Sequence, residues 1–263
     1  MPELHLKYYM LDWDDNILYM PTTIRMMHHG VPVDVTTKQF AEVRHDPNYR
    51  PINDSWDEAF AQFRDGSGDF VADTRQAIVE QAFAPSFAAF KRALLKARLF
   101  CIVTARGHSA ATIRRGVETV IDQVFSAEEH AEMLRNIQAF NQHAGLEIPD
   151  ELAFEKYLDL NGYVGVSSPG FLKIFQDQMP DSVEPTSERA KTVAVAQFVA
   201  HTLALAQNLP ARTRYIAFGF SDDDHRNLQV MRQFLSETLV EQHPDVAFFV
   251  YNTSDEDVEV EKL

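Results

Sequence analysis

The sequence predicts an α/β fold: a doubly wound, Rossmann-like parallel sheet with helices on both faces and one or two inserted cap or flap segments. Four short apolar runs, 6–11, 99–103, 215–220 and 246–251, each end beside polar residues, as strands buried on both faces do. Between them lie longer stretches of helical composition, and strands alternating with helices through right-handed crossovers build a parallel sheet. Two further intervals break the alternation with Gly and Pro punctuation, which marks insertions.

The first run ends in two carboxylates one residue apart, Asp12 and Asp14. Ligands of an open α/β sheet bind at such strand ends. Two carboxylates at close range resist ionising together, so a site that keeps both supplies a cation or gives them different protonation roles. Residues 19–73 carry the turn signals Met20-Pro21, His29-Gly30, Asp46-Pro47-Asn48 and Gly66-Ser67-Gly68 around a hairpin and short helices, and read as a flap or lid. Residues 74–97, rich in Ala, Gln, Leu and Lys, read as helix.

The second run ends in Thr104, followed by Arg106 and Gly107 and a helix over 109–124 opened by Ser109. A Thr hydroxyl and backbone N–H groups at such a turn can bind phosphoryl oxygens. Residues 126–186 hold a helical piece over 127–143 and then a punctuated stretch in which 163–167 reads as a further strand, so this second insertion belongs partly to the core. A long helix over 187–208, with Lys191 near its start, leads into the third run, which ends in Asp222-Asp223-Asp224; a helix over 226–242 precedes the fourth.

The expected organisation is therefore a core of 1–18, 74–125 and 187–252, a flap or cap of 19–73, a second insertion of 126–186 and an acidic tail of 253–263. Like-charged terminal runs are usually solvated, and the tail is expected to fray.

Bulk properties narrow the function classes. The 263 residues, 45% apolar, suffice for a sizeable core. No apolar run approaches membrane-spanning length and the N-terminus lacks a basic-then-apolar leader, so the expectation is a soluble, cytoplasmic protein without a membrane partner. No oligomeric state follows. A net charge of -15 argues against a nucleic-acid partner. A small phosphorylated substrate stays open, because a divalent cation and a few local bases reverse the field inside a pocket. The single cysteine, Cys101, lies between Phe100 and Ile102 and reads as a packed, inert thiol.

Hard oxygen ligands in this pattern suit Mg²⁺. An EF-hand loop is the first rival for Asp12, Asp14 and Asn16, but Ile17 stands where a Gly should turn the chain and Thr23 where the bidentate Glu should be. His28-His29 lacks partners at ligand spacing and reads as a solvated turn. Asp222 to Asp224 read alone as a helix N-cap. Trp13 fits substrate contact or core packing equally, Arg106 fits an anion contact or a surface loop, and Phe83, Phe87 and Phe90 read as core.

With these pieces in this order the chain resembles the haloacid dehalogenase-like (HAD) superfamily of phosphohydrolases. Asp12-Trp13-Asp14-Asp15-Asn16 is similar to its first motif, Val103-Thr104 to the second, Lys191 to the third and Asp222-Asp223-Asp224 to the fourth. The likeness spans 6–251 and leaves both insertions unmatched.

The resemblance implies a Mg²⁺-dependent phosphatase acting on a small phosphorylated metabolite. Asp12 would attack phosphorus to give an aspartyl-phosphate, and Asp14 would act as general acid and then base. Thr104 and Lys191 would stabilise charge on the transferring group, with Arg106 as a further substrate-binding residue. The metal would take Asp12, the Asp14 backbone carbonyl and an acid of the fourth motif, Asp222 first, Asp223 next and Asp224, with Asn227, as the alternative. Asn16 stands where the family more often has Thr or Val, and Lys173 is the other candidate for the third motif. The alternative function is a catalytically silent relative kept for binding or regulation. Dehalogenation is disfavoured, because Asp14 serves to protonate an oxygen leaving group.

Overall fold

All four apolar runs become strands of one sheet. The computed structural model describes residues 4–179, 183, 186–208, 213–254 and 258–263. The chain runs β1 (Leu4–Leu11), β2 (Ile24–His28), β3 (Val31–Val35), α1 (Thr37–Val43), β4 (Tyr49–Pro51), α2 (Trp56–Ala59), α3 (Phe70–Val79), α4 (Phe87–Leu95) and β5 (Phe100–Thr104). It continues with α5 (Ala110–Val124), α6 (Ala127–His143), α7 (Asp150–Asp159), β6 (Gly162–Gly165), α8 (Pro169–Gln178), α9 (Ser187–Gln207), β7 (Thr213–Asp222), α10 (His225–Phe234), β8 (Val246–Asn252) and β9 (Glu259–Lys262).

The main sheet has the order β6-β5-β1-β7-β8-β9, parallel throughout except for β9. This is an α/β fold with a mostly parallel sheet flanked by helices, compatible with a Rossmann-like layout. Every residue of β5 is buried, as expected of an interior strand covered on both faces. Leu11 pairs with Ile102 on one side and Ser221 on the other, so β1, β5 and β7 all finish at the same rim. That register fixes the site: residues remote in sequence arrive at one edge of the sheet.

Residues 74–97 are not one helix. The chain leaves α3 through Gln81, whose φ is 56°, and restarts at α4. Pro85 lies between the two helices and lacks the N–H that a continuous helix would need. Packed behind the sheet, Phe90, Phe100 and Tyr163 interlock edge to face, with Phe90 and Phe100 fully buried. Phe87 is also buried, whereas Phe83 is 37% exposed. The second insertion contributes β6 to the edge of the sheet.

The C-terminal segment also departs from expectation. β9 pairs antiparallel with β8 from Phe249↔Lys262 to Asn252↔Glu259, and the Leu263 N–H donates to the Phe248 carbonyl at 3.0 Å. The open edge of β8 offers backbone donors and acceptors, and pairing with them offsets the fraying that the charge favours. The acidic run at 255–257 lies outside the described residues.

A second, smaller sheet, β3-β2-β4, covers its own apolar cluster of Ile24, Met26, Val35, Ile52, Ala59 and Phe63. β2 and β3 join through His29 and Gly30, with φ of 49° and 81°, the left-handed pair that a tight two-residue hairpin requires. His28 stacks on Tyr49 at 4.2 Å between ring centroids. Among the described residues no helix is long and apolar enough to cross a membrane.

Gly165, at the end of β6, has no room for a side chain: a Cβ there would lie 2.4 Å from the His108 carbonyl oxygen and 2.7 Å from that of Arg106. Both neighbours are backbone. Gly165→Ala is therefore expected to lower stability by about 1–3 kcal/mol, read as a reduced urea midpoint with an unchanged m-value.

Candidate active site

The rim is held together by the backbone of Asp12 and by Asn16. The Asp12 N–H donates to the Ser221 carbonyl at 3.0 Å, continuing the β1–β7 pairing past the end of the strand. Fully buried Asn16 donates through Nδ2 to the carbonyls of Asp12 (3.0 Å) and Ser221 (3.2 Å). Its Oδ1 accepts from the hydroxyls of Ser221 (2.8 Å) and Thr253 (2.7 Å). The residue that departs from the family pattern is thus the clamp between the two acidic loops. Thr253, assigned to the tail on sequence, is buried as part of it. Asn16→Ala is expected to cost on the order of 2–3 kcal/mol, since it strands four buried partners; chemical denaturation measures it.

Charge is dense here. Lys191 projects from the first turns of α9 and is buried, with Nζ 2.7 Å from Asp222 Oδ2 and 3.3 Å from Asp12 Oδ1. Asp222 is fully buried, and its Oδ1 accepts from the Asp224 N–H (3.0 Å) and Asn227 Nδ2 (2.9 Å). Despite the proximity of Lys191, Asp12 Oδ1 accepts no well-formed hydrogen bond. Carboxylate oxygens of Asp12, Asp222 and Asp223 all lie within 4.8 Å of one another, a group that could hold a metal ion.

One ammonium does not balance three carboxylates. Burial, only partly offset by Lys191 and reinforced by Asp222 and Asp14, pushes Asp12 up to about 8. Burial with repulsion from Asp222, Asp12 and Asp15 pushes Asp223 up to about 9. Burial of Lys191 opposes its charge, but Asp12 and Asp222 outweigh that and raise its pKa. An uncompensated cluster of hard oxygens, one of them without a hydrogen bond, fits a divalent cation such as Mg²⁺. Asp14 is outside this cluster.

Its carboxylate is engaged elsewhere. Arg106 grips it with two bonds, Nε to Oδ2 at 2.8 Å and Nη2 to Oδ1 at 2.6 Å. Thr104 Oγ1 lies 3.4 Å from Oδ2. The guanidinium is itself 1% exposed, donates to Thr22 Oγ1 at 2.8 Å, and lies 4.6 Å from the Phe63 ring centroid and 5.1 Å from that of Phe70. Arg106 is therefore not a surface residue: its Nε and Nη2 are committed to Asp14, while its Nη1 is buried without a hydrogen-bond partner. Aromatic packing and bidentate geometry make that pairing rigid.

The remaining candidates fall into clear places. Trp13 is core, fully buried against Phe70 and Phe90, with Nε1 donating to Met20 Sδ. Asp224 caps α10 and pairs with Arg44 at 3.1 Å; burial opposes its ionisation, but the Arg226 N–H and Arg44 hold it below the usual range. Lys173 lies exposed on α8. Cys101 is buried, and burial raises its thiol pKa.

The acids open into a cavity of about 650 Å³ between the sheet rim and the 19–73 segment. Asp12, Asp14, Asp223, Thr104 and Lys191 line one side, and Phe40, Trp56, Phe60 and Phe63 the other. Contacts that hold the segment against the core include Thr37 Oγ1 to Asp15 (2.5 Å), Arg44 to Asp224, Arg106 to Thr22 (2.8 Å), the Gly107 N–H to the Phe63 carbonyl (2.9 Å), and the Ser109 N–H to Asp65 (2.9 Å). Asp15, held at φ 56°, is raised to about 6 by burial, with the Thr37 hydroxyl opposing.

The structure thus brings Asp12, Asp14, Thr104, Lys191, Asp222 and Asp223 together. The aromatic wall was not anticipated, although Trp56, Phe60 and Phe63 recur at spacings of four and three, one face of a helical path. In comparisons with known proteins, no family model, no curated protein and no solved structure matches this chain.

Proposed function

We propose that this protein is a Mg²⁺-dependent phosphomonoesterase that works through an aspartyl-phosphate on Asp12, with the 19–73 segment as a cap over the site. The observation that carries the reading is the placement of Asp12. It stands at the open end of a central strand, its Oδ1 without a hydrogen bond and Lys191 at 3.3 Å, facing a cavity of about 650 Å³.

Asp12, Asp222 and Asp223 would hold the cation, which supplies charge neutralisation between an anionic nucleophile and an anionic phosphate. Asp12 attacks phosphorus in line; the bond to the ester oxygen breaks and its electron pair leaves with that oxygen. Lys191 and Thr104 offer donors to the phosphoryl oxygens, and Lys191 is held in place by Asp222. Water then attacks the phosphorus, a carboxylate in reach takes its proton, and the bond to Asp12 breaks to release inorganic phosphate. Asp14 fits that second role, since a carboxylate with two occupied acceptor sites still has lone pairs for a proton.

Phosphate release from p-nitrophenyl phosphate tests the reading: it is expected with Mg²⁺ and lost on chelation with EDTA. Phosphate binding without turnover would favour the silent binding relative instead.

A further inference from the structure

We infer that the site takes small phosphomonoesters that carry a second anionic group, a carboxylate or another phosphate, and that Arg226 reads that group at the mouth of the cavity. This rests on the phosphomonoesterase reading and specifies its substrate class.

The first support is the charge balance inside the cavity. Among the described residues five lysines and arginines line it: Arg44, Arg64, Arg106, Lys191 and Arg226. Four are matched by carboxylates, Arg44 with Asp224, Arg64 with Asp57, Arg106 with Asp14, and Lys191 with Asp12 and Asp222. Arg226 has no such match among the described residues. Its Nη2 meets Nε2 of His45, a ring nitrogen that accepts only when it carries no proton, so the contact leaves the positive charge uncompensated. The nearest acid along the chain, Asp224, is taken by the Arg44 side chain and by the backbone N–H of Arg226. The sequence holds 39 acids against 24 Lys and Arg, so an arginine left without one at a cavity is a place for an anion of the ligand.

The second support is the position of Arg226. It is the second residue of α10, exposed, and three residues beyond Asp223, so the backbone between them spans at most about 11 Å. Its contact with His45 lies beside the ion pair of Arg44 with Asp224, at the seam where the chain just past α1 meets the start of α10. A phosphoryl group at Asp12 and an anion at this seam are bridged by a ring or a short carbon chain, which excludes a long polymer.

The third support is what lies between. A cavity of about 650 Å³ holds far more than a phosphate, and Phe40, Trp56 and Phe60 give it an apolar wall. Apolar lining with a few placed charges is the build of a small-molecule site. Arg106 also leaves its buried Nη1 without a partner, and its backbone N–H donates to Thr104 Oγ1 at 3.4 Å. An unpaired buried donor is costly, and one beside Thr104 serves the transferring phosphoryl group. Arg226 is left for the second anion.

The test measures kcat/KM with the full chain and Mg²⁺ for matched esters. Phenyl phosphate is set against its meta- and para-carboxylate and -phosphate analogues, and propyl phosphate against its ω-carboxylate and ω-phosphate analogues; the pairs separate carboxylate from phosphate as the second group. In at least one series a doubly anionic ester is expected to exceed its parent by about tenfold or more, the worth of one charge-assisted contact. Arg226→Gln should bring that ratio close to one. Arg135→Gln, which removes the same charge from an exposed position on α6 outside the cavity, should leave the ratio as it is. Parent and doubly anionic esters cleaved alike, a preference that survives in Arg226→Gln, or one lost equally in Arg135→Gln overturns the inference and leaves the phosphomonoesterase reading standing. If no ester is cleaved, that reading falls, and calorimetry decides the subsite alone. Tighter binding of ω-carboxylated propylphosphonate than of propylphosphonate, lost in Arg226→Gln, sustains it; equal or absent binding overturns it.

Discussion

Asp12→Asn is expected to lower Mg²⁺-dependent phosphate release from an aryl phosphate by on the order of 10⁴-fold or more, the scale seen when a covalent nucleophile is removed. The reason is specific to the atom. An amide keeps the shape of the side chain and its place at the end of β1, but it cannot form the bond to phosphorus. The same substitution should not destabilise the protein near neutral pH. Asp12 is buried beside Asp222 and Asp223 with a single lysine between them, so a neutral group there relieves repulsion. Loss of activity joined to an unchanged or higher Tm would mark Asp12 as kept for chemistry at the expense of the fold. A matching fall in Tm would mark it as structural.

Lys191→Met carries the second large effect, on stability. Among the described residues it removes the one ammonium set among the three acids, and it strands Asp222, which is fully buried. Deleting one partner of a buried ion pair typically costs about 3–5 kcal/mol, and denaturant unfolding would measure it. The effect should depend on pH, with a sign fixed by the neighbouring acids. Asp12 and Asp223 are raised from 3.8 to about 8 and about 9. Groups raised in the folded state contribute stability that is fully present below the unfolded pKa and lost as pH rises through the folded one.

Metal-free protein should therefore lose stability as pH climbs from about 4 to about 9. Lys191→Met should suffer most at the alkaline end, where the acids are driven to ionise without a counter-charge. Mg²⁺ should recover part of the loss in both proteins, because it binds the folded state alone. Thermal melts at both ends of this range, with and without Mg²⁺, read the outcome. A metal-free wild type that grows more stable toward alkaline pH would contradict the electrostatic account.

Much of this was legible in the chain, for identifiable reasons. Strands buried on both faces are continuous apolar runs, so β1, β5, β7 and β8 stand out, and parallel pairing forces their polar ends to one rim. That is why Asp12, Thr104 and the acids after β7 could be placed together before any coordinates. Where local composition competes with punctuation, the reading fails: Ala and Gln across 74–97 suggest helix, while Pro85 and left-handed Gln81 break it. β9 was hidden because its charge argues for solvation, yet a free backbone edge outweighs it.

The grip of Arg106 on Asp14 had no signal at all. The two residues are 92 positions apart, and an arginine after a strand looks the same whether it meets substrate, solvent or a neighbouring acid. Asn16 looked like a minor departure from a motif. Only the register of β1 on β7, with Thr253 folded back beside it, shows that it joins the two acidic loops.

The most direct measurement is chemical trapping of the covalent intermediate. Protein turning over an aryl phosphate with Mg²⁺ is quenched in acid, reduced with borohydride and mapped by peptide mass spectrometry. An aspartyl-phosphate is reduced to homoserine, and the account predicts that homoserine appears at position 12, only when substrate and Mg²⁺ are both present. Phosphate release with residue 12 unmodified and the label at another acid, or no phosphate release at all, would contradict it.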